Sequence, residues 1–243
     1  MFKNISPYKN SNLSKKRQIT KMFDTISNEY DRLNRVISFG IDIKWRNKVV
    51  NLIKDENPEN ILDIATGTGD LAINLTKTRA KKIIGLDISE GMLNVGRKKI
   101  KERKLNSLVE MIIGDSENLP FEDDSFDAVS VAFGVRNFET LEKGLSEIYR
   151  VLKVNGVFVV LETSIPQNPF FKQGYFIYTK FFLPLIGKLF SRDKTAYEYL
   201  SDSAAKFPFG EDFNNILKKI GFIRVEALPQ TFGVATIYTA SKK

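Results

Sequence analysis

The residues best able to do chemistry in this 243-residue chain fall in three short stretches, Asp63–Asp70 (DIATGTGD), Asp87-Ile88-Ser89 and Gly114-Asp115-Ser116. Ile61–Ala65 reads as a strand, which puts Gly67-Thr68-Gly69 at its carboxyl end just before a helix. Glycine there lets a ligand approach bare backbone, and the open N–H groups at a helix start bind polar groups. Asp87 follows Gly67 by 20 residues, at the end of the next strand. That is the spacing at which a carboxylate accepts hydrogen bonds from ribose hydroxyls. Asp115 with Ser116 closes a third strand with an acid able to meet an adenine amino group, and Leu119-Pro120-Phe121 adds apolar walls. Gly67-x-Gly69-x-x-Ala72 also fits the loose dinucleotide fingerprint. A tight turn without ligand, with Asp87 capping a helix, would use the same residues. Asp63 and Asp70 make the region rich in carboxylates, which repel a pyrophosphate but suit a ligand carrying a sulfonium and an ammonium. S-adenosylmethionine is such a ligand.

Composition removes other chemistries. The chain has neither cysteine nor histidine. Disulfides, thiolate metal sites, thiol nucleophiles, Ser-His-Asp machinery and imidazole acid–base catalysis are therefore excluded. Proton transfer falls to Asp, Glu, Tyr, Lys, Arg-held water or the substrate, and no cluster with metal-ligand spacing appears. Lys and Arg outnumber Asp and Glu by 37 to 29, a net charge of +8. Such a balance fits an anionic membrane surface, a nucleic acid or simply a lysine-rich background. Met1–Ser14 has no apolar core of the kind a secretory leader carries. The apolar run Phe181–Gly187 is too short to span a bilayer and contains Pro184. A cytoplasmic protein is expected, at most peripheral at the inner face of the membrane.

The elements that must position these residues follow from alternating apolar runs and amphipathic stretches, the pattern of an α/β domain on a largely parallel sheet. After Ile61–Ala65 come a helix over Asp70–Lys77, a strand over Lys82–Leu86, and a helix over Glu90–Lys104 that Ser89 can cap. Strands at Val109–Ile113 and Phe126–Ala132, a helix at Leu141–Leu152 and a strand at Gly156–Leu161 continue the series. A helix over Asp212–Ile220 and strands at Arg224–Leu228 and Val234–Ala240 close it, the last two as an antiparallel edge hairpin. Between Thr163 and Arg192 there is no acid, and eight aromatics sit among four basic residues. The basic N-terminus (Lys3, Lys9, Lys15, Lys16, Arg17, Lys21) reads as a solvated tail, and Arg97–Lys104 as the wet face of its helix.

Asp63–Asp70, Asp87-Ile88-Ser89-x-x-Met92 and Gly114-Asp115-Ser116-x-x-Leu119-Pro120-Phe121 resemble the motifs of class I methyltransferases. The chain resembles more closely the menaquinone/ubiquinone biosynthesis C-methyltransferases, the UbiE/MenG family. The residues that carry this are Tyr30-Asp31-x-x-Asn34-x-x-Ile37-Ser38 ending at Trp45, Phe133-Gly134-Val135-Arg136-Asn137, Tyr149–Lys153, and Tyr197-x-Tyr199-Leu200-x-x-Ser203. The match runs from about Lys21 to the C-terminus. The family's usual His is Asp42 here, so that His cannot be essential if the chain is active; its Pro-Gly-Gly is Val154-Asn155-Gly156, and a cofactor-contacting Ser of some relatives falls on Ala132.

The resemblance implies a Rossmann-like fold with a seven-stranded sheet and an antiparallel C-terminal hairpin. One domain, 1–243, would comprise a helical lid (1–55), a cofactor-binding core (56–162), an aromatic-rich lid insertion (163–210) and a C-terminal helix with hairpin (211–243). S-adenosylmethionine would be held by Thr68, Asp87, Asp115 and Ser116, with Gly67, Gly69, Asp63 and Ala132 beside them. The implied reaction puts a methyl on a ring carbon of a prenylated quinol, demethylmenaquinol or the methoxy-benzoquinol of ubiquinone synthesis. Carbon is a weak nucleophile, so a group that stabilises the ring oxyanion should stand nearby. Arg136 and Asn137, with Tyr30 from the lid, fill those positions; a loop salt bridge and a packed lid aromatic are the alternatives for Arg136 and Tyr30. Phe170–Phe190 would cover the prenyl tail and meet an anionic membrane surface, or form an ordinary helical subdomain. An NAD-dependent oxidoreductase and an RNA methyltransferase are the rival classes, and no nucleic-acid partner is expected.

Overall fold

The computed structural model describes residues 5–8, 10–182 and 194–243. Lys3, Lys9, Lys188 and the end of the aromatic stretch lie outside them. One sheet of seven strands runs in the order β3-β2-β1-β4-β5-β7-β6. Its parallel part is β1 (Asn60–Ile64), β2 (Lys82–Asp87), β3 (Val109–Ile113), β4 (Phe126–Ala132) and β5 (Leu152–Thr163). β7 (Ala235–Ser241) is antiparallel to β5, and β6 (Ile223–Gln230) completes the hairpin at the edge. Central parallel strands are covered on both faces and so read as unbroken apolar runs. Ile61, Leu62, Val129, Val131 and Phe158–Leu161 are fully buried accordingly.

The N-terminal part forms α1 (Lys15–Ile26), α2 (Tyr30–Ile37) and α3 (Ile41–Lys54). α4 (Asp70–Leu75), α5 (Glu90–Glu102) and α6 (Leu141–Val151) connect the parallel strands. α7 (Pro169–Ile177), α8 (Lys194–Lys206) and α9 (Glu211–Ile220) follow β5. Ser89 caps α5 by accepting from the Met92 N–H at 3.2 Å. α4 is shorter than its periodicity suggests, because the Thr76 and Thr78 hydroxyls donate to the Ile73 and Leu75 carbonyls and turn the chain. β5 begins four residues early: Leu152 pairs with Phe126, and Asn155 crosses the irregularity at a φ of 62°.

Ile19, Met22 and Ile26 of α1, Leu33 of α2, Met92 of α5 and Tyr199 of α8 share one apolar cluster, which binds the N-terminal helices to the core. Two expectations of solvated charge hold for Arg17 and Lys21 and for most of Arg97–Lys104, and are corrected at single residues. Lys15 donates to the Phe138 carbonyl at 2.6 Å and Lys16 pairs with Asp115 at 2.6 Å, so both belong to a roof over the sheet. On α5, Lys99 bridges Asp31 and Asp70, and Arg97 donates to the Met111 carbonyl. Lys99 thus joins α5 to α2 and α4, while Lys98, Lys101, Arg103 and Lys104 stay exposed as expected.

Candidate active site

β1 and β4 are neighbours whose connections leave toward opposite sides of the sheet, and the crevice beyond their carboxyl ends is where α/β sheets bind ligands. Both chains leave their strands through strained residues. Ala65 follows β1 with φ 52°, and Phe133 follows β4 with φ 59°. A side chain on Gly134 would meet the Ala65 Cβ at 2.5 Å, so the two exits can pack only with glycine there.

Two cavities open from this crevice. The first, about 690 Å³ to its mouth, holds Gly67, Asp87, Asp115, Ser116 and Ala132 of the expected cofactor set, together with Tyr30 and Asn137. Gly67, at φ 57°, turns its N–H onto Asp87 Oδ2 at 2.8 Å, and the Ser89 N–H donates to Oδ1 at 2.9 Å. Burial pushes the Asp87 carboxyl up against those bonds. Asp115 accepts from Lys16 on Oδ2 and from the Glu117 N–H on Oδ1.

Thr68, Gly69 and Asp63 stand behind this wall rather than in it. The Thr68 hydroxyl donates to Asp31 at 2.5 Å, tying the glycine turn to α2. Gly69 faces the Met111 side chain, whose Cε would lie 3.2 Å from a Cβ. Asp63 is enclosed, accepting from Thr66 at 2.6 Å and Ser130 at 2.7 Å, and burial pushes its carboxyl up to about 6. Asp70 is neutralised by Arg35 and Lys99, which hold its carboxyl down against the opposing effect of burial.

The second cavity is larger, about 2010 Å³, and mostly apolar, walled by Ile37, Phe39, Trp45, Phe171, Tyr178 and Phe232 among others. Tyr30 and Phe133 line both cavities and form the partition between them. Arg136 reaches only the second. Its side chain is 7% exposed and donates to Glu162 Oε1 at 2.5 Å and to the Phe133 carbonyl at 2.8 Å. Among the described residues, Arg136 Nε and Glu162 Oε2 have no hydrogen-bond partner, and both atoms are buried. Asn137 accepts from the Tyr199 hydroxyl at 3.1 Å and donates weakly to the Phe133 carbonyl at 3.5 Å. Burial pushes the Tyr30 phenol up. Asp42 accepts from Ser38, from Arg35 and, at 2.6 Å, from Arg46.

Comparison with known proteins matches a family profile described as the ubiE/COQ5 methyltransferase family, over residues 11–242. The chain belongs to the ubiE/COQ5 methyltransferase family. Within it, the chain is 46% identical over 239 residues to the demethylmenaquinone methyltransferase of Bacteroides fragilis, covering 98% of this chain and 97% of that one. Identity is 38% over 240 residues with the enzyme of the same name from Porphyromonas gingivalis, covering 98% of each chain. It is 43% over 230 residues with the ubiquinone/menaquinone biosynthesis C-methyltransferase UbiE of Geobacter sulfurreducens, 94% of this chain and 90% of that. Among solved structures, a SAM-dependent methyltransferase of Thermotoga maritima aligns over 93% of this chain and all of its own, with a TM-score of 0.65 and 23% identity. That similarity is one of fold.

Several residues of this ubiE/COQ5 family site carry no local sequence signal. Lys16, Arg46, Lys99 and Glu162 each act on a residue distant in the chain, Arg46 through the Phe133 ring. Glu162 alone had a cue, as an acid closing the apolar run of β5.

Proposed function

We propose that the protein methylates a ring carbon of demethylmenaquinol with S-adenosylmethionine, yielding menaquinol. The supporting observation is the junction of an acid-walled cleft and a large apolar cavity at a partition of two aromatic side chains, Tyr30 and Phe133. The residues fit the cofactor. Asp87, Asp115, Glu117 and Glu139 line the cleft, a setting that favours a cationic ligand and opposes a pyrophosphate.

S-adenosylmethionine, when bound, supplies a methyl group on a sulfonium whose leaving group is a neutral thioether. Asp87 keeps acceptor capacity for ribose hydroxyls while its backbone bonds fix its rotamer. Asp115 and Ser116 would hold the adenine end, and Gly67 exposes backbone beside Tyr30. At the larger cavity, the Arg136 guanidinium would stabilise the ring oxyanion through its charge, which is permanent and makes it a stabiliser rather than a base. Tyr30 stays protonated near neutrality and so orients by donating. Asn137, held by Tyr199, steadies the loop that carries Arg136. Replacing the ring C–H by C–CH₃ releases one proton to solvent, and Glu162, fully buried behind Arg136, fixes that guanidinium at the cavity wall.

The lid reading of 1–55 and 163–210 belongs to the same proposal. The Tyr178 hydroxyl donates to the Ile37 carbonyl at 2.5 Å, so the two segments close over the apolar cavity together. Its mouth carries exposed Phe39, Phe170 and Phe232, with Phe176 and Phe181 nearby. Among the described residues no helix is long and apolar enough to cross a membrane. Peripheral contact with the inner, anionic membrane face would deliver a prenylated quinol to that mouth.

Transfer of labelled methyl from S-adenosylmethionine to a demethylmenaquinol in detergent tests the proposal, with a methoxy-prenyl-benzoquinol in parallel. Label on the naphthoquinol, lost with Arg136→Ala and Asp87→Ala, is the expected result. Cofactor binding without label on either quinol would overturn it.

A further inference from the structure

Phe133 occupies a position that ordinary packing does not explain. A bulky aromatic residue at φ 59° is strained, and such outliers persist only where the surroundings hold them and cluster where function needs them. Here the surroundings hold every part of the residue. Its N–H donates to the Leu161 carbonyl at 2.7 Å. Its carbonyl accepts from Arg136 at 2.8 Å and Asn137 at 3.5 Å. The Arg46 guanidinium lies 5.2 Å from the ring centroid, and the Trp45 ring is 6.3 Å away. Gly134 beside it has no room for a side chain. What these contacts leave is a phenyl ring fixed in the wall shared by both cavities.

We infer that Phe133 seats the acceptor ring: its phenyl is the flat surface against which the quinol ring lies so that its reacting carbon meets the methyl group across the partition. This rests on the proposed function and adds to it. A planar aromatic acceptor has few directional handles, and its reacting carbon offers no hydrogen bond. Stacking on a fixed aromatic surface sets the ring plane, which in-line transfer requires. Arg46 on the phenyl ring prevents it from rotating out of the wall, by a cation–π contact in a half-buried setting. Phe133, Arg136 and Asn137 then act as a unit, the latter two holding the backbone conformation that aims the ring.

Separating the ring from its backbone tests the inference. Asn and Gly both tolerate left-handed backbone, so Phe133→Asn and Phe133→Gly remove the ring without adding strain. Phe133→Tyr keeps it. Titration calorimetry with S-adenosylmethionine reads the cofactor side, and steady-state methyl transfer reads the quinol side. The expected result is that S-adenosylmethionine still binds in all three variants, with the loss concentrated on the quinol side. kcat/KM for the quinol should fall about 100-fold in the Asn and Gly variants, the scale of a misplaced reactant, and return to near wild type in the Tyr variant. Wild-type turnover in both ringless variants would overturn the inference, as would loss of cofactor binding in both, since the ring would then be scaffold. A wild-type protein that methylates no quinol would instead remove the proposed function.

Discussion

Asp63 shows how a residue's type can be legible while its surroundings are not. Its position is beside the glycine turn, and the fold encloses it at the end of β1 with two hydroxyl donors, Thr66 and Ser130. The carboxyl, raised to about 6 by burial, holds its proton longer in the folded chain than in the unfolded one. The stability linked to that proton is complete below pH of about 4 and disappears as pH rises through about 6. Asp87 is shifted in the same direction. With no histidine in the chain, the interval between pH 5 and 7 is nearly free of other side-chain titrations. Thermal melts of wild type and Asp63→Asn should therefore converge and cross in a defined way. Between pH 4 and 7.5 wild type should lose about 2 kcal/mol relative to the variant. A stability difference independent of pH would show that Asp63 titrates normally.

The elements themselves were readable because each obeys a local rule. β2, β3 and β4 are apolar runs bounded by turns, Ser89 is an N-cap at the expected place, and Gly67 sits where backbone must turn left-handed. The joints between elements were not readable, because each partner is an ordinary charged residue until the fold brings it to another helix. α2 and α3 are fastened to α4 and α5 by Asp31, Lys99, Asp70, Arg35 and Asp42. Asp42, 2% exposed, also neutralises Arg46, which is 6% exposed. Asp42→Ala leaves that guanidinium buried without its carboxylate, a loss of about 3 kcal/mol. A drop of roughly 6–12 °C in melting temperature is expected for a chain of this size. A drop near zero would show that water replaces the carboxylate. At α1 the opposite sign is expected. Lys16 places a cation beside a cleft read as binding a cation, and it occupies Asp115 Oδ2. The pair is about a third exposed and contributes at most about 1 kcal/mol. Lys16→Met should tighten S-adenosylmethionine binding roughly 2- to 5-fold by calorimetry. Weaker binding would mean that Lys16 orients Asp115 rather than competing for it.

At the scale of the molecule, the two cavities impose a division of labour on the surface. The acid-walled cleft is roofed by α1, whereas the apolar cavity opens among exposed phenylalanines next to Lys172 and Lys180. A soluble surface rarely gathers so many exposed aromatic side chains at one place without a partner for them. A lipid surface matches both the phenyl rings and the lysines, and a net charge of +8 adds attraction to anionic headgroups. Phe176 and Phe181 are 53% and 65% exposed and do not line the cavity, so they can be changed without altering its wall. In sedimentation with vesicles of neutral and anionic phospholipid, Phe176→Ser with Phe181→Ser should reduce binding at least about 10-fold, as expected for two partly inserted rings. Turnover of a short-chain, water-soluble demethylmenaquinol should persist in the same variant, whereas turnover of a long-chain quinol presented in vesicles should fall with binding. If vesicle binding is unchanged, the exposed rings serve another contact and the quinol must reach the cavity by a different route. If both turnovers fall together, the rings instead support the cavity from outside and have no separate role at a lipid surface.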